Sequence, residues 1–352
     1  MKSVFSQNIY DKHIRADRPH ASGSQLVKER LTEINPETLQ EFRSTLIPRK
    51  FIFDTINICN ANCVFCAYQY NTDPKTIMSL EMVQEAAKQV SDLHSEAFIS
   101  LTPTVGDPLI DPDIFKKVQI CKEMGIKRVQ FYTNAILLKK RLSELLASDL
   151  DNLEISVSDL NSDSYLKIFR STKYEEVIEG ISLLLKNLSL NKKTIPVKIN
   201  FRSAHSLDVI KESPDFKKYI QPWVTDYIHF SDTSTFDNWT GLIVQDDLVS
   251  GMKLAEDTKR TEMKPCSRLV DVQILANGDV RLCGCRMGTS SNDDLVVGNI
   301  LQTPLREIWY SGKVGQIWEN FLYQKYPKSC LNCSYYDAID RRPDRYLQFN
   351  EK

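Results

Sequence analysis

Apolar positions along this chain follow two periods in turn. Short stretches in which every residue or every second residue is apolar predict strands. Each is followed by apolar residues three and four apart, the spacing of one face of a helix. The first strand expected is FIFDTINI over 51–58. Ser79 then stands just before LEMVQEAAKQVSDL, where its hydroxyl suits a helix N-cap. AFISLTPT (97–104) precedes a helix over 112–124, and RVQFYTNA (128–135) precedes KRLSELLAS (140–148). LEISVSD (153–159) precedes YEEVIEGISLLLKNL (174–188). PVKINFRS (196–203) and DYIHFSD (226–232) supply the fifth and sixth strands, with a helix between them near 207–219.

Repeated strand–helix units imply a parallel sheet with helices packed outside it. Right-handed crossovers curl such a sheet into a closed or partial barrel, here a partial (β/α)6 barrel of the α/β class. Active sites on these sheets gather at the C-terminal ends of the strands.

The pattern changes after about residue 235. LVDVQILANGDVRLCGC reads as strand, Asn277–Gly278 turn and strand, a strong hairpin signal. PLREIWYSG and KVGQIWENFLYQ then predict two short helices, and a Cys330-x2-Cys333 pair follows. The expected divisions are an N-terminal extension over 1–48, the barrel over 49–233, and a smaller C-terminal domain of hairpin and helices over 234–352.

Composition adds mainly exclusions. The chain is 42% hydrophobic and 26% charged, with a net charge of −1, so nothing in its electrostatics favours nucleic acid or an anionic membrane as a partner. No apolar stretch is long enough to span a bilayer, and the first twenty residues lack the apolar core of a signal peptide. The cytoplasm is therefore the expected location. Nine cysteines in a reducing compartment point to metal or redox chemistry rather than disulfides. Cys121 falls at helical spacing with Ile114 and Val118 and reads as a core residue. The other eight lie in two groups, over 59–66 and 266–333.

The first group, Cys59-Asn-Ala-Asn-Cys63-Val-Phe-Cys66, directly follows a strand. Three thiolates can hold three irons of a four-iron cluster and leave the fourth open to an exchangeable ligand. The same residues also fit a zinc site whose fourth ligand comes from elsewhere in the chain. Cys-x3-Cys-x2-Cys with Phe65 before the last cysteine resembles the radical S-adenosylmethionine (SAM) superfamily. That resemblance covers residues 50–232. It implies a [4Fe–4S] cluster on Cys59, Cys63 and Cys66 whose open iron is chelated by SAM. Reductive cleavage of SAM would yield a 5′-deoxyadenosyl radical that abstracts a substrate hydrogen atom.

Further cofactor-binding residues follow from the same resemblance. The family's Gly-Gly-Glu-Pro is matched in part by Thr104-Val105-Gly106-Asp107-Pro108, with Val105 for one glycine and aspartate for glutamate. Its Thr-Asn-Gly is matched by Thr133-Asn134-Ala135. Phe65, Gly106, Asp107, Pro108 and Asn134 are thus placed at SAM, with Ser158 at its ribose. Arg202 is placed at its carboxylate, whose geometry a guanidinium fork suits.

The second group, Cys266-x11-Gly278-x4-Cys283 with Cys330-x2-Cys333, resembles the auxiliary-cluster domain called SPASM or its shorter twitch form. No cysteine follows Cys333, which favours the shorter form. The resemblance implies a fully ligated second [4Fe–4S] cluster on Cys266, Cys283, Cys330 and Cys333, two clusters in all. The pairing taken alone is equally that of a zinc ribbon. Cys285 lies two residues beyond Cys283 and, in a strand, would share its face. It is an alternative ligand, a bystander or, as in some epimerases of this architecture, a hydrogen-atom donor to the substrate radical.

These cofactors imply C–H abstraction followed by oxidation or epimerisation. The 48 residues before the barrel are too few for the leader-binding domain that peptide-modifying relatives carry. This favours a small polar metabolite such as a sugar, aminocyclitol or nucleoside over a ribosomally made peptide. A zinc-containing binding protein is the remote alternative. A flavodoxin or ferredoxin is the implied reductant. His205, His229, Asp232 and Asp237 are candidate bases for an oxidation, while Phe236 and Trp239 suit either a sugar-stacking role or the core.

Overall fold

The computed structural model describes residues 35, 37–39, 43–44, 46–191, 194–255, 263–284, 293–339 and 347–349. Among them, nine strands make the principal sheet. They are β1 (Lys50–Phe53), β2 (Phe98–Ser100), β3 (Arg128–Thr133), β4 (Asn152–Val157), β5 (Val197–Arg202), β6 (Ile228–Thr233), β7 (Val272–Ile274), β8 (Asp279–Leu282) and β9 (Val296–Asn299). Their order is β9-β8-β7-β1-β2-β3-β4-β5-β6. From β7 to β6 every pairing is parallel, and β7-β8-β9 is antiparallel.

The α/β partial barrel is therefore present, with one difference at its edge. The C-terminal hairpin does not form a sheet of its own. Its first strand pairs in parallel with β1, Gln273 opposite Ile52, and extends the barrel sheet. The Asn277–Gly278 turn is as expected, with Gly278 at φ 86° and its N–H donating to the Leu275 carbonyl at 2.9 Å. Gln273 is fully buried, so both faces of this strand are covered.

Residue alternation gives the sheet two unlike faces. Phe51, Phe53, Ile99, Val129, Phe131, Leu153, Ile155, Val157, Val197, Ile199 and Phe201 are buried on one face. That face belongs to the same core as helices α1 (Leu80–Leu93), α2 (Ile114–Glu123), α3 (Leu138–Ala147), α4 (Ser162–Phe169) and α5 (Tyr174–Asn191). Helix α1 begins where expected: the Ser79 hydroxyl accepts from Met82 N–H at 3.1 Å. Val83, Ala86, Ala87, Val90 and Leu93 form its buried stripe, each larger side chain contributing about 1.5–3 kcal/mol. Cys121 is fully buried on α2, the core position its spacing indicated.

The opposite face lines the barrel interior and is polar. It carries Asp54, Gln130, Tyr132, Glu154, Ser156, Lys198, Asn200, Arg202, His229, Gln273 and Arg281, aligned by the strand registers.

Two helical regions differ from the sequence expectation. The helix near 207–219 breaks into Leu207–Lys211 and a π-helical turn, Phe216–Ile220, because Pro214 cannot continue the first segment. Helix α4 has only eight residues, too few for periodicity to reveal, and starts on an Asn161 cap that accepts from Ser164 N–H at 2.8 Å. The two C-terminal helices form as expected, α6 (Leu305–Trp309) and α7 (Gly312–Leu322). No helix among the described residues is long and apolar enough to cross a membrane.

Candidate active site

The cysteine loop leaves the C-terminal side of β1 and lies on α4. Asn62 N–H donates to the Phe169 carbonyl at 3.2 Å and Val64 N–H to the Ile168 carbonyl at 2.9 Å, so the loop caps the free end of that helix. Tyr68 fixes both ends of the motif. Its N–H donates to Cys66 Sγ at 3.4 Å and its hydroxyl to the Cys59 carbonyl at 3.2 Å. Asn134 Nδ2 reaches Cys59 Sγ at 3.6 Å.

Burial pushes the Cys59 thiol up to about 12, helped by the Asp107 carboxylate, and Cys66 to about 11. Cys63 is raised first by burial and then by its neighbours Cys66 and Cys59. Negative charge on Cys59 and Cys66 disfavours a third thiolate at Cys63, and a bound cation would relieve that repulsion. This donor set suits a bound iron–sulfur cluster.

Residues placed at SAM divide into two kinds. Gly106, at φ 132°, lies so close to the cysteine loop that a Cβ would stand 2.7 Å from the Ile56 carbonyl oxygen, which explains its glycine. Arg202 has its guanidinium 5.9 Å from the Phe65 ring centre and 3.4 Å from Ser156 Oγ, and its buried Nε–H has no protein partner. An anionic group at this spot would satisfy it. Asn134 lies beside Cys59 and Asn60.

Asp107 and Ser158 both bond other groups of the protein. The Asp107 carboxylate accepts from Thr133 Oγ1 at 2.9 Å, Asn134 N–H at 2.7 Å and Leu109 N–H at 3.0 Å. It braces the loop after β2 against the end of β3 and is only 2% exposed. Pro108, also buried, opens the 3-10 turn that this carboxylate caps. Ser158 is fully buried with its hydroxyl on the Asp159 carbonyl at 3.0 Å. Ser156, two residues earlier, lies on the inner face with its Oγ 3.4 Å from the Arg202 guanidinium.

Cys266, Cys283, Cys330 and Cys333 line one small pocket together with Arg268, Leu269, Leu295 and Tyr336. Burial raises the Cys266 thiol to about 11, with a further push from Cys333. Four thiols around one void fit a fully ligated cluster. Among the described residues, no three His, Cys, Asp or Glu side chains converge on a point where one metal ion would sit. Cys283 is not in the strand as expected: β8 ends at Leu282, and Cys283 follows at φ 66°. That left-handed turn swings its side chain out of the strand's alternation. Cys285 lies outside the described residues.

The base candidates scatter. His205 is 60% exposed, with Nδ1 3.0 Å from Asp159 Oδ2. Asp232 is exposed, and Asp237 is buried, accepting from Ser334 Oγ at 2.6 Å. Of the four, His229 has inner-face register, opposite Lys198. Asp54, which periodicity did not single out, also faces the interior at the end of β1. Its Oδ1 accepts from Thr104 N–H at 2.8 Å. Burial raises it to about 6 against that hydrogen bond and the nearby Arg281. Phe236 stacks on Phe65 with ring centres 4.9 Å apart, and Trp239 Nε1–H donates to the Phe65 carbonyl at 3.0 Å. Both therefore belong to the packing behind the cysteine loop.

Comparison with known proteins fits this geometry. Residues 54–201 match the radical SAM superfamily and residues 266–334 the iron–sulfur cluster-binding domain named SPASM. A protein of Saccharolobus islandicus named probable GTP 3′,8-cyclase is 28% identical over 145 residues, 41% of this chain and 44% of that relative. The GTP 3′,8-cyclase of Aquifex aeolicus is 29% identical over 204 residues, 55% of this chain and 61% of its own length. The chain thus spans less than two thirds of the curated relatives it matches. Among solved structures, BtrN in complex with AdoMet and 2-DOIA is similar with a TM-score of 0.54 at 16% identity, covering 85% of this chain and 98% of that one. Streptococcus suis SuiB bound to precursor peptide SuiA is similar with a TM-score of 0.56 at 16% identity, covering 84% of this chain and 71% of that one. At these identities the structural likenesses establish the fold.

Proposed function

We propose that this chain, which belongs to the radical SAM superfamily and carries a C-terminal iron–sulfur cluster-binding domain, oxidises or epimerises a small polar metabolite such as a sugar, aminocyclitol or nucleoside. The observation that carries the reading is the pairing of two thiol sites with a polar barrel interior. Three thiols lie in a loop at the strand ends, four line a second pocket, and hydroxyl, amide and charged side chains line the space inside the sheet.

When bound, the first cluster supplies an open iron for SAM and the electron that cleaves it to a 5′-deoxyadenosyl radical. We assign Cys59, Cys63 and Cys66 to this cluster and Cys266, Cys283, Cys330 and Cys333 to a second one. Arg202 Nε–H is the donor suited to the SAM carboxylate, Gly106 allows close backbone approach, and Ser156 stands beside them. Two interior cations are already paired: Lys198 lies 3.2 Å from Glu154, and Arg281 lies 2.5 Å from Asp293. Such pairing favours a neutral or singly charged polar substrate over a triphosphate, whose several charges call for unpaired cations. Cytoplasmic location and a flavodoxin- or ferredoxin-type reductant accompany this reading.

The second reading, maturation of a ribosomally made peptide, is favoured by the likeness to SuiB bound to its precursor peptide. Incubating the reconstituted protein with SAM, reductant and a panel of aminocyclitols, sugars and nucleosides, in parallel with peptides, separates the two. A product two hydrogens lighter marks oxidation, and one solvent deuterium at carbon marks epimerisation. Turnover confined to peptides contradicts the metabolite reading.

A further inference from the structure

The segment from Phe236 to Gly241 touches both cysteine sites. On one side Trp239 Nε1–H donates to the carbonyl of Phe65, the residue before Cys66, at 3.0 Å, and the Phe236 ring stacks on the Phe65 ring. On the other side Asn238 grips the loop that carries Cys333. Its N–H donates to Ser334 Oγ at 3.0 Å and its Nδ2 to the Asn332 carbonyl at 2.9 Å. Ser334 in turn donates from Oγ to Asp237 Oδ1 at 2.6 Å. Two contacts to Phe65, beside Cys66, and three bonds to Asn332 and Ser334, on either side of Cys333, therefore converge on residues 236–239.

The backbone here is strained. Trp239, Thr240 and Gly241 follow one another at φ 49°, 62° and 96°. Non-glycine residues rarely adopt the left-handed region, and such strain persists where its surroundings over-determine it. Relaxing Trp239 to an ordinary backbone would withdraw its indole N–H from Phe65 or pull Asn238 from Ser334. Adjacent residues of one strained turn thus bond both loops.

We propose that this turn is a clasp that couples the two sites, so that the state of the C-terminal cysteine pocket sets the affinity of the Cys59–Cys66 loop for SAM. The inference rests on the functional reading above. An empty or distorted Cys333 loop shifts Asn332 and Ser334, the turn loses its anchor, and Trp239 no longer fixes the carbonyl beside Cys66. Coupling of this kind is reciprocal, so SAM binding would also favour the ordered Cys333 loop. Trp239 and Asn238 act as positioning residues and need not touch SAM.

The test is SAM binding by equilibrium dialysis, with iron and sulfide analysis, on full-length reconstituted protein. Trp239→Phe keeps the ring and removes the indole donor. It is expected to retain wild-type iron and to weaken SAM binding about fivefold, the effect of one lost net hydrogen bond. Asn238→Ala, which removes the Nδ2 bond to the Asn332 carbonyl on the opposite side of the clasp, is expected to do the same. Cys333→Ala is expected to weaken SAM as much or more, and adding Trp239→Phe to it should weaken SAM no further. Wild-type affinity in Trp239→Phe and Asn238→Ala, or effects that multiply in the double variant, overturns the clasp while leaving the functional reading intact. Iron loss in the two clasp variants would reduce the turn to a folding element and likewise overturn it. A wild-type chain that binds neither iron nor SAM overturns the functional reading and the clasp together.

Discussion

Replacing Asp54 with asparagine should stabilise this protein, and only above a definite pH. The carboxyl sits inside the barrel at the end of β1, where burial moves it from 3.8 to about 6. Between those values the folded chain holds a proton that the unfolded chain has released. Stability therefore falls as pH rises through this window, and the full cost of the ionised carboxylate is present above about pH 6. At about 1.4 kcal/mol per tenfold change, the cost approaches about 3 kcal/mol, an upper bound because the group is not wholly sealed from solvent. Asparagine has the same shape and keeps an oxygen to accept from Thr104 N–H. The assay is a thermal melt of the two proteins in one cluster state at pH 8 and near pH 4. For a chain of this length the variant should melt roughly 2–4 °C higher at pH 8 and level with wild type at the acid end. A variant less stable at pH 8, or a difference that ignores pH, refutes the reasoning.

Two further predictions concern SAM. Gly106→Ala should cut SAM binding more than tenfold, because the new methyl meets the Ile56 carbonyl at 2.7 Å and displaces the cysteine loop; equilibrium dialysis checks it, and near-wild-type affinity would show that the loop has room to spare. Arg202→Ala should weaken SAM about tenfold or more while iron content holds, since a charge-assisted hydrogen bond is worth about 1.5–3 kcal/mol; an unchanged affinity would remove Arg202 from the SAM carboxylate.

The sheet was legible because strand-period and helix-period stretches alternate from residue 50 to 233. The Ser79 cap, the Asn277–Gly278 turn and the buried Cys121 each act through local chemistry, so short windows of sequence suffice. What sequence hid was longer-range. Nothing in LVDVQIL states that it pairs with FIF more than 200 residues earlier, because pairing partners are chosen by the fold. Nor did the sequence show that the Asp107 and Ser158 side chains bond Thr133, Asn134 and the Asp159 carbonyl. Asp54 carried no motif, and its burial appears only once β7 and β8 cover that side of β1. The clasp is a contact between three distant loops, and its signature is a positive φ that Trp239 and Thr240 give no reason to expect.

Iron, sulfide and zinc analysis of anaerobically reconstituted protein, joined to an assay for reductive SAM cleavage, tests the central claim most directly. About eight irons and eight sulfides per chain are expected, with 5′-deoxyadenosine formed by the wild type and by none of Cys59→Ala, Cys63→Ala and Cys66→Ala. Stoichiometric zinc with little iron, or undiminished 5′-deoxyadenosine from any of those three variants, would contradict it.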